Sequence, residues 1–182
     1  MRHEVRFSGF GGQGIILSAV ILGRAAAIYD EKYAVQTQVY GPEARGGASM
    51  SAVVIDDEPV LYPEVTEPDI YVIMSQEGFL KYGAGAPEGA VMLLDDGLVQ
   101  DRPACRFHPV PATYEAKFTL NRVIVANIVM LGALIAITGI VSREAIEKAV
   151  LDSVPKGTED LNMRALKLGF DLGTRSMHNE TA

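Results

Sequence analysis

The run Gly9-Phe10-Gly11-Gly12-Gln13-Gly14 sets glycines at the spacing G-x-G-x-x-G. Placed between a strand and a helix, such a run makes a tight turn and lets a ligand approach the backbone closely. The helix start behind it offers unpaired N–H groups and a positive dipole end to an anion. A dinucleotide site of this kind also needs a carboxylate about 20 residues on, at the end of the second strand, to hold the ribose. Here that strand reads Val35-Gln36-Thr37-Gln38-Val39-Tyr40-Gly41, without an acid. An NAD site therefore lacks its second half. A plain turn and a contact with an anion or a partner both stay open. The second cluster, Gly41-Pro42-Glu43-Ala44-Arg45-Gly46-Gly47, combines glycines and a proline with one Glu/Arg pair. The Arg45 fork suits a carboxylate or phosphate; the alternative is a surface turn with Glu43 and Arg45 solvated. In an open α/β sheet both clusters follow the carboxyl ends of strands and can face one crevice. The candidate ligand- or partner-binding residues are Gly9, Gly11, Gly12, Gln13, Gly14, Gln38, Gly41, Pro42, Glu43, Arg45, Gly46 and Gly47.

No catalytic set and no metal site emerges elsewhere. His3, His108 and His178 are scattered over a strand start, a proline-flanked strand and the C-terminal stretch. Each reads as surface or structural rather than as a base. Cys105, with Arg102 and Arg106 nearby, reads as a packed thiol rather than an activated one. Asp56-Asp57 and Asp95-Asp96 read as solvated turn pairs at strand ends rather than metal ligands.

The elements that must position these residues follow from periodicity. His3–Ser8 alternates as a short strand, and Ile15–Ile28 is a helix apolar almost all round. Tyr33–Tyr40 and Ala48–Ile55 read as further strands. Asp69–Met74 and Ala90–Leu94 are short apolar runs of the central parallel type, with a helix at Gln76–Tyr82 between them. Cys105–Val110, bracketed by prolines, suits a sheet edge. Helices are expected over Asn121–Ile137, Ser142–Leu151 and Thr158–Gly173, the last with Thr158 as N-cap. The expectation is an α/β chain with a Rossmann-like open, mostly parallel sheet flanked by helices and a helical C-terminal third. It forms a single domain over 1–182, with 175–182 as a flexible tail.

At 182 residues, 48% apolar and a net charge of −7, the chain can bury a core of its own. Its acidic balance without a Lys/Arg run argues against nucleic acid. One cysteine leaves no internal disulfide or cysteine-based cluster and fits a reducing cytoplasm. The charged start Met1-Arg2-His3-Glu4-Val5-Arg6 is unlike a signal peptide. Val123–Val141 is uncharged and long enough to span a bilayer, yet it contains Asn127 and the breaker Thr138-Gly139. A buried helix is the better reading. The apolar excess of Ile15–Ile28 and Asn121–Ile137 is expected to face partner chains.

Gly-Phe-Gly-Gly-Gln-Gly-Ile (9–15), Gln-Thr-Gln-Val-Tyr-Gly-Pro-Glu-Ala-Arg-Gly-Gly (36–47) and Asn127…Leu131-Gly132 closely resemble the gamma subunit of 2-oxoacid:ferredoxin oxidoreductases. The likeness extends to Asn162 and Gly169, and residues 40–47 look most like the 2-oxoglutarate branch. The resemblance implies a subunit of a multisubunit cytoplasmic enzyme. That enzyme converts a 2-oxoacid and coenzyme A into acyl-CoA and CO2 and passes electrons to ferredoxin. It implies alpha and beta partners, with a ferredoxin-like delta subunit as a further candidate. Thiamine diphosphate, Mg2+ and iron–sulfur clusters would be carried elsewhere in the complex, none of them by this chain alone. The gamma chain of such enzymes is associated with coenzyme A access. A subunit of an indolepyruvate or other 2-oxoacid oxidoreductase, and a free-standing CoA- or nucleotide-binding module, are the competing readings.

Overall fold

The computed structural model describes residues 1–39 and 47–179. Six strands form one sheet: β1 (His3–Phe10), β2 (Tyr33–Val39), β3 (Ala48–Asp56), β4 (Ile70–Ile73), β5 (Val91–Asp95) and β6 (Arg106–Val110). The helices are α1 (Ile15–Arg24), α2 (Gln76–Tyr82), α3 (Ala112–Phe118), α4 (Ala126–Thr138), α5 (Arg143–Ser153) and α6 (Glu159–Asn179). The spatial order is β2-β3-β1-β4-β5-β6. β3 lies between β2 and β1 and is antiparallel to both, whereas β1, β4, β5 and β6 pair in parallel. Five strands thus point one way.

Every residue of β4 is buried, because the sheet is covered on both sides. Ile70 and Val72 join the larger core with Val5, Phe7, Val53 and helices α1, α4, α5 and α6. Tyr71 and Ile73 face the opposite layer, with Phe79 of α2, Met92, Leu94 and Cys105. α4 is buried from Ala126 to Ile135 on all sides. It crosses α6 at contact distance: a Cβ on Gly132 would lie 2.2 Å from Leu166 O, and one on Gly169 would lie 2.0 Å from Val129 O. The uncharged run 123–141 is therefore a core helix, and no helix among the described residues is long and apolar enough to cross a membrane.

Several boundaries differ from the sequence expectations for identifiable reasons. β1 runs on through Gly9 and Phe10 because these residues pair with Ser49 and Ala48. The first helix widens at its end, where the Asp30 N–H reaches Ala25 O five residues back (3.1 Å). The helix expected from Asn121 begins at Ala126, since Asn121 takes a left-handed conformation (φ 55°) and a single 3-10 turn, Val123–Val125, follows. α3 was not foreseen; it starts directly after Pro111. α6 does not stop at Gly173 but continues through Arg175 to Asn179, into the stretch expected to be a flexible tail. Ser176 is buried there against His108 (Oγ to Nδ1, 3.3 Å). Thr158 turns its hydroxyl back to donate to Pro155 O (2.7 Å). The apolar excess of the two expected stretches is divided, with Leu17 and Ile28 of the first and Val123 and Ile124 of the second exposed. α4 keeps its share inside the chain, and the exposed large apolar side chains also include Tyr114 and Phe118.

Candidate functional site

The first glycine segment leaves the carboxyl end of β1, at the point where the chain departs on one side to α1 and the neighbouring strand β4 belongs to the other half of the sheet. A crevice at such a switch point is where open α/β sheets bind ligands. Gln13 fixes the segment there. Its Oε1 accepts from Phe10 N–H (2.6 Å) and its Nε2 donates to Met74 O just past β4 (2.9 Å). One uncharged side chain thus laces the ends of two adjacent strands.

The glycines divide by physical need. Gly12 and Gly14 have φ of 94° and 75°, the left-handed region that disfavours a Cβ. Gly14 is also the N-cap of α1, and a Cβ on it would come within 2.4 Å of Asn127 Nδ2. A Cβ on Gly9 would strike Gln13 Oε1 at 2.5 Å. Gly11 differs from the rest. Its φ is not positive and a Cβ there would meet nothing within 4 Å. Nothing in the described chain requires glycine at that exposed position.

Behind the segment, Gly14 O accepts from Ser18 N–H (2.9 Å), Ser18 Oγ (3.1 Å) and Asn127 Nδ2 (3.3 Å). Asn127 is buried in α4, so the loop is tied to the core helix. The crevice beside it has a volume of about 390 Å³. It is lined by Gly12, Gln13, Met74, Leu98, Thr113, Val123 and Ile124. Apart from Gln13 and Thr113 the lining offers no polar side chain, so the crevice suits an apolar or aromatic group more than a phosphate.

Asp95 holds the lining residue Thr113 in place. It ends β5, is fully buried, and its Oδ2 accepts from both the N–H and the hydroxyl of Thr113. Burial pushes its pKa above the usual carboxylate range, partly offset by the Thr113 hydrogen bonds. Asp95-Asp96 is therefore not a solvated pair as expected. Asp95 anchors the start of α3, and only Asp96 is exposed, paired with Arg102 (2.8 Å). Cys105 is buried and its thiol pKa is pushed up by desolvation, opposite to an activated nucleophile.

The second glycine segment can be followed only at its ends. Gly41, Pro42, Glu43, Arg45 and Gly46 lie outside the described residues. Gln38 is exposed on β2, opposite Ser51 of β3. Gly47 is half-buried and precedes Ala48, which pairs with Phe10. Ser49 Oγ donates to Gly9 O (3.2 Å). The chain enters both segments from the same edge of the sheet, as expected, leaving β1 for the first and β2 for the second, with β3 between those strands. Sequence reasoning missed Met74, Leu98, Thr113, Val123 and Ile124 as lining residues. Asn127 carried a usable signal, as the one amide inside an otherwise apolar run.

The family model described as pyruvate ferredoxin/flavodoxin oxidoreductase matches residues 4–172. The chain is 56% identical over 176 residues to the 2-oxoglutarate synthase subunit KorC of Methanocaldococcus jannaschii, covering 94% of each. Its fold is similar to the crystal structure of a keto/oxoacid ferredoxin oxidoreductase gamma subunit from Geobacter sulfurreducens. The TM-score is 0.87 at 47% identity, with 97% and 98% of the two chains covered. It shares its fold with part of a 2-oxoglutarate:ferredoxin oxidoreductase chain from Magnetococcus marinus, a structure with 2-oxoglutarate, coenzyme A and succinyl-CoA bound. The TM-score there is 0.81 at 21% identity, with 96% of this chain but 31% of that one covered.

Proposed function

The chain belongs to the pyruvate ferredoxin/flavodoxin oxidoreductase family, and on that footing we propose that it is the gamma subunit of a cytoplasmic 2-oxoglutarate:ferredoxin oxidoreductase. The enzyme takes 2-oxoglutarate and coenzyme A to succinyl-CoA and CO2 and delivers two electrons to ferredoxin. The observation that carries the reading is the end-to-end likeness to a 2-oxoglutarate synthase subunit, which spans nearly the whole of both chains. Alpha and beta subunits complete the enzyme. The occurrence of this fold as about a third of a longer Magnetococcus chain supports close association of such a unit with others.

The residues here do not fit the redox or thiamine groups of such an enzyme. An iron–sulfur cluster takes up to four thiolates and this chain has one cysteine, itself buried in an apolar layer. Thiamine diphosphate with Mg2+, which supplies the carbanion chemistry when bound, belongs on the alpha and beta chains. The work assigned to this chain is therefore binding and positioning. Its first glycine segment and the described ends of the second, Val39 and Gly47, lie on one edge of the sheet. Gly11 presents an open backbone to whatever docks there, and Arg45, whose guanidinium fork suits a phosphate, is assigned to coenzyme A. The exposed apolar side chains of Val123 and Ile124 at the crevice, and of Tyr114 and Phe118 on α3, supply contact area for the partner subunits.

The test is reconstitution. With alpha and beta subunits and this chain, ferredoxin reduction depends on both 2-oxoglutarate and coenzyme A; without this chain it collapses. In the full complex, Arg45→Ala raises the apparent KM for coenzyme A roughly ten- to a hundredfold, the loss of one charge-assisted hydrogen bond, with a smaller change for 2-oxoglutarate. Unchanged coenzyme A dependence would return Arg45 to a surface turn, and failure to assemble would move it to a subunit interface.

A further inference from the structure

A second pocket, on the face of the sheet covered by α2, shares no residue with the crevice. It holds about 300 Å³ between Arg6 of β1, Tyr71 of β4, Thr66 and Glu67 ahead of β4, and Lys81 and Tyr82 at the end of α2. We propose that this pocket is a binding site for a small anion, a carboxylate or phosphate head group held between Arg6 and Lys81 with the Tyr71 hydroxyl as a further donor.

Arg6 is the unusual residue. It sits in the middle of β1, directly beside Tyr71 on β4 and Ala52 on β3, where a solitary guanidinium is costly to keep. It is half-buried, with its guanidinium carbon 5.7 Å from the centre of the Tyr71 ring. One Nη donates to Val65 O (3.1 Å), and Nε is buried without a partner. Neither Arg6 nor Lys81 makes an ion pair among the described residues. Tyr71 is only 3% exposed and its hydroxyl has no hydrogen-bond partner among the described residues, yet it lines the cavity. Two cations and the accessible hydroxyl of an otherwise buried tyrosine thus converge on one space, with Glu67 as the single opposing charge. That balance favours a monoanion. The volume exceeds that of a bare carboxylate or phosphate, so the head group can carry a body against Tyr71 and Tyr82.

A merely structural Arg6 would pin the segment at Val65 to the sheet through its one Nη bond. In that case nothing done to Lys81 or Glu67, both exposed, would alter anion binding. This gives a test with two signs. The full chain, labelled with 15N, is titrated with sodium acetate and separately with sodium phosphate at fixed ionic strength, following the amides of residues 66–71 and 81–82. A head group of four or five heavy atoms is expected to bind in the millimolar range. Lys81→Gln should weaken binding about three- to tenfold, and Glu67→Gln should tighten it by a similar factor. Saturation by one salt and not the other identifies the head group as carboxylate or phosphate. Shifts that grow linearly with both salts, or a Kd indifferent to both substitutions, would overturn the site.

Discussion

Replacing Gly14 by Ala attacks the glycine segment at the residue where backbone conformation and packing coincide, and the two contributions can be separated. Holding a Cβ at φ 75° costs about 1–2 kcal/mol. The same Cβ would sit 2.4 Å from Asn127 Nδ2 and 2.8 Å from its Cγ, so Asn127 must turn away. That breaks its 3.3 Å bond to Gly14 O and strands a buried amide, a further ~1–2 kcal/mol. Gly14→Ala is therefore expected to destabilise the chain by about 2–4 kcal/mol. Asn127→Ala alone removes the hydrogen bond but also the obstacle, at about 1–2 kcal/mol, because Gly14 O keeps both bonds from Ser18. In the double variant the second half of the Gly14→Ala cost disappears. The cycle should show a coupling of about 1–2 kcal/mol between the two positions. Urea unfolding of the four proteins, followed by far-UV circular dichroism, reads this as a shift in midpoint at constant slope. Strictly additive costs, within about 0.5 kcal/mol, would refute the claim that Asn127 is what the glycine accommodates.

Gly11→Ala inverts the pattern. Stability should change by less than about 0.5 kcal/mol, since a Cβ there meets nothing and the φ is ordinary, while assembly with the partner subunits or the KM for coenzyme A should suffer. Unfolding midpoint and ferredoxin-reduction kinetics on the same preparation check both halves, and a large loss of stability would remove the argument from the open backbone. Asp95 carries a pH signature. Its folded pKa lies above the unfolded one, so between the two values the native state binds more protons and stability falls as pH rises. Asp95→Asn should flatten that decline on the alkaline side of the ordinary carboxylate pKa, measured as Tm against pH relative to the parent. An unaltered profile would assign the slope to other groups.

The strand–glycine–helix unit at the start of the chain was legible because turn chemistry and periodicity changed together at Gly9–Gly14. The breaker at Thr138-Gly139 was equally clear, with Gly139 closing α4 at φ 61°. The direction of β3 was not. Ala48–Asp56 carries the same small and β-branched signature whichever neighbour it pairs with, and pairing direction is decided by which edge its ends can reach. The lining of the crevice was also hidden, because Met74, Leu98, Thr113 and Ile124 come from separate stretches of the chain that only the fold brings together. For Asp95 the sequence misled. An Asp-Asp pair after a strand has the composition of a solvated turn, and its burial depends on α3 starting over it. Apolar content likewise revealed that α4 needed cover on every side, but not that α6, at glycine contact distance, would be part of that cover.

The insertion of β3 beside β1 also sets an order for synthesis. β1, β2 and β3 can close as a local antiparallel set once the ribosome has released Asp56, before any parallel partner exists. From then until Ile70–Ile73 emerges, the other edge of β1 is bare, and its apolar residues Val5 and Phe7 have neither α4 nor β4 to cover them. At roughly 5–20 residues per second that interval lasts about a second or more, and the wait for α4 several times longer. The nascent chain is thus most exposed to aggregation midway through translation, and slowing the ribosome between Asp56 and Thr138 should lower the yield of folded chain more than slowing it afterwards.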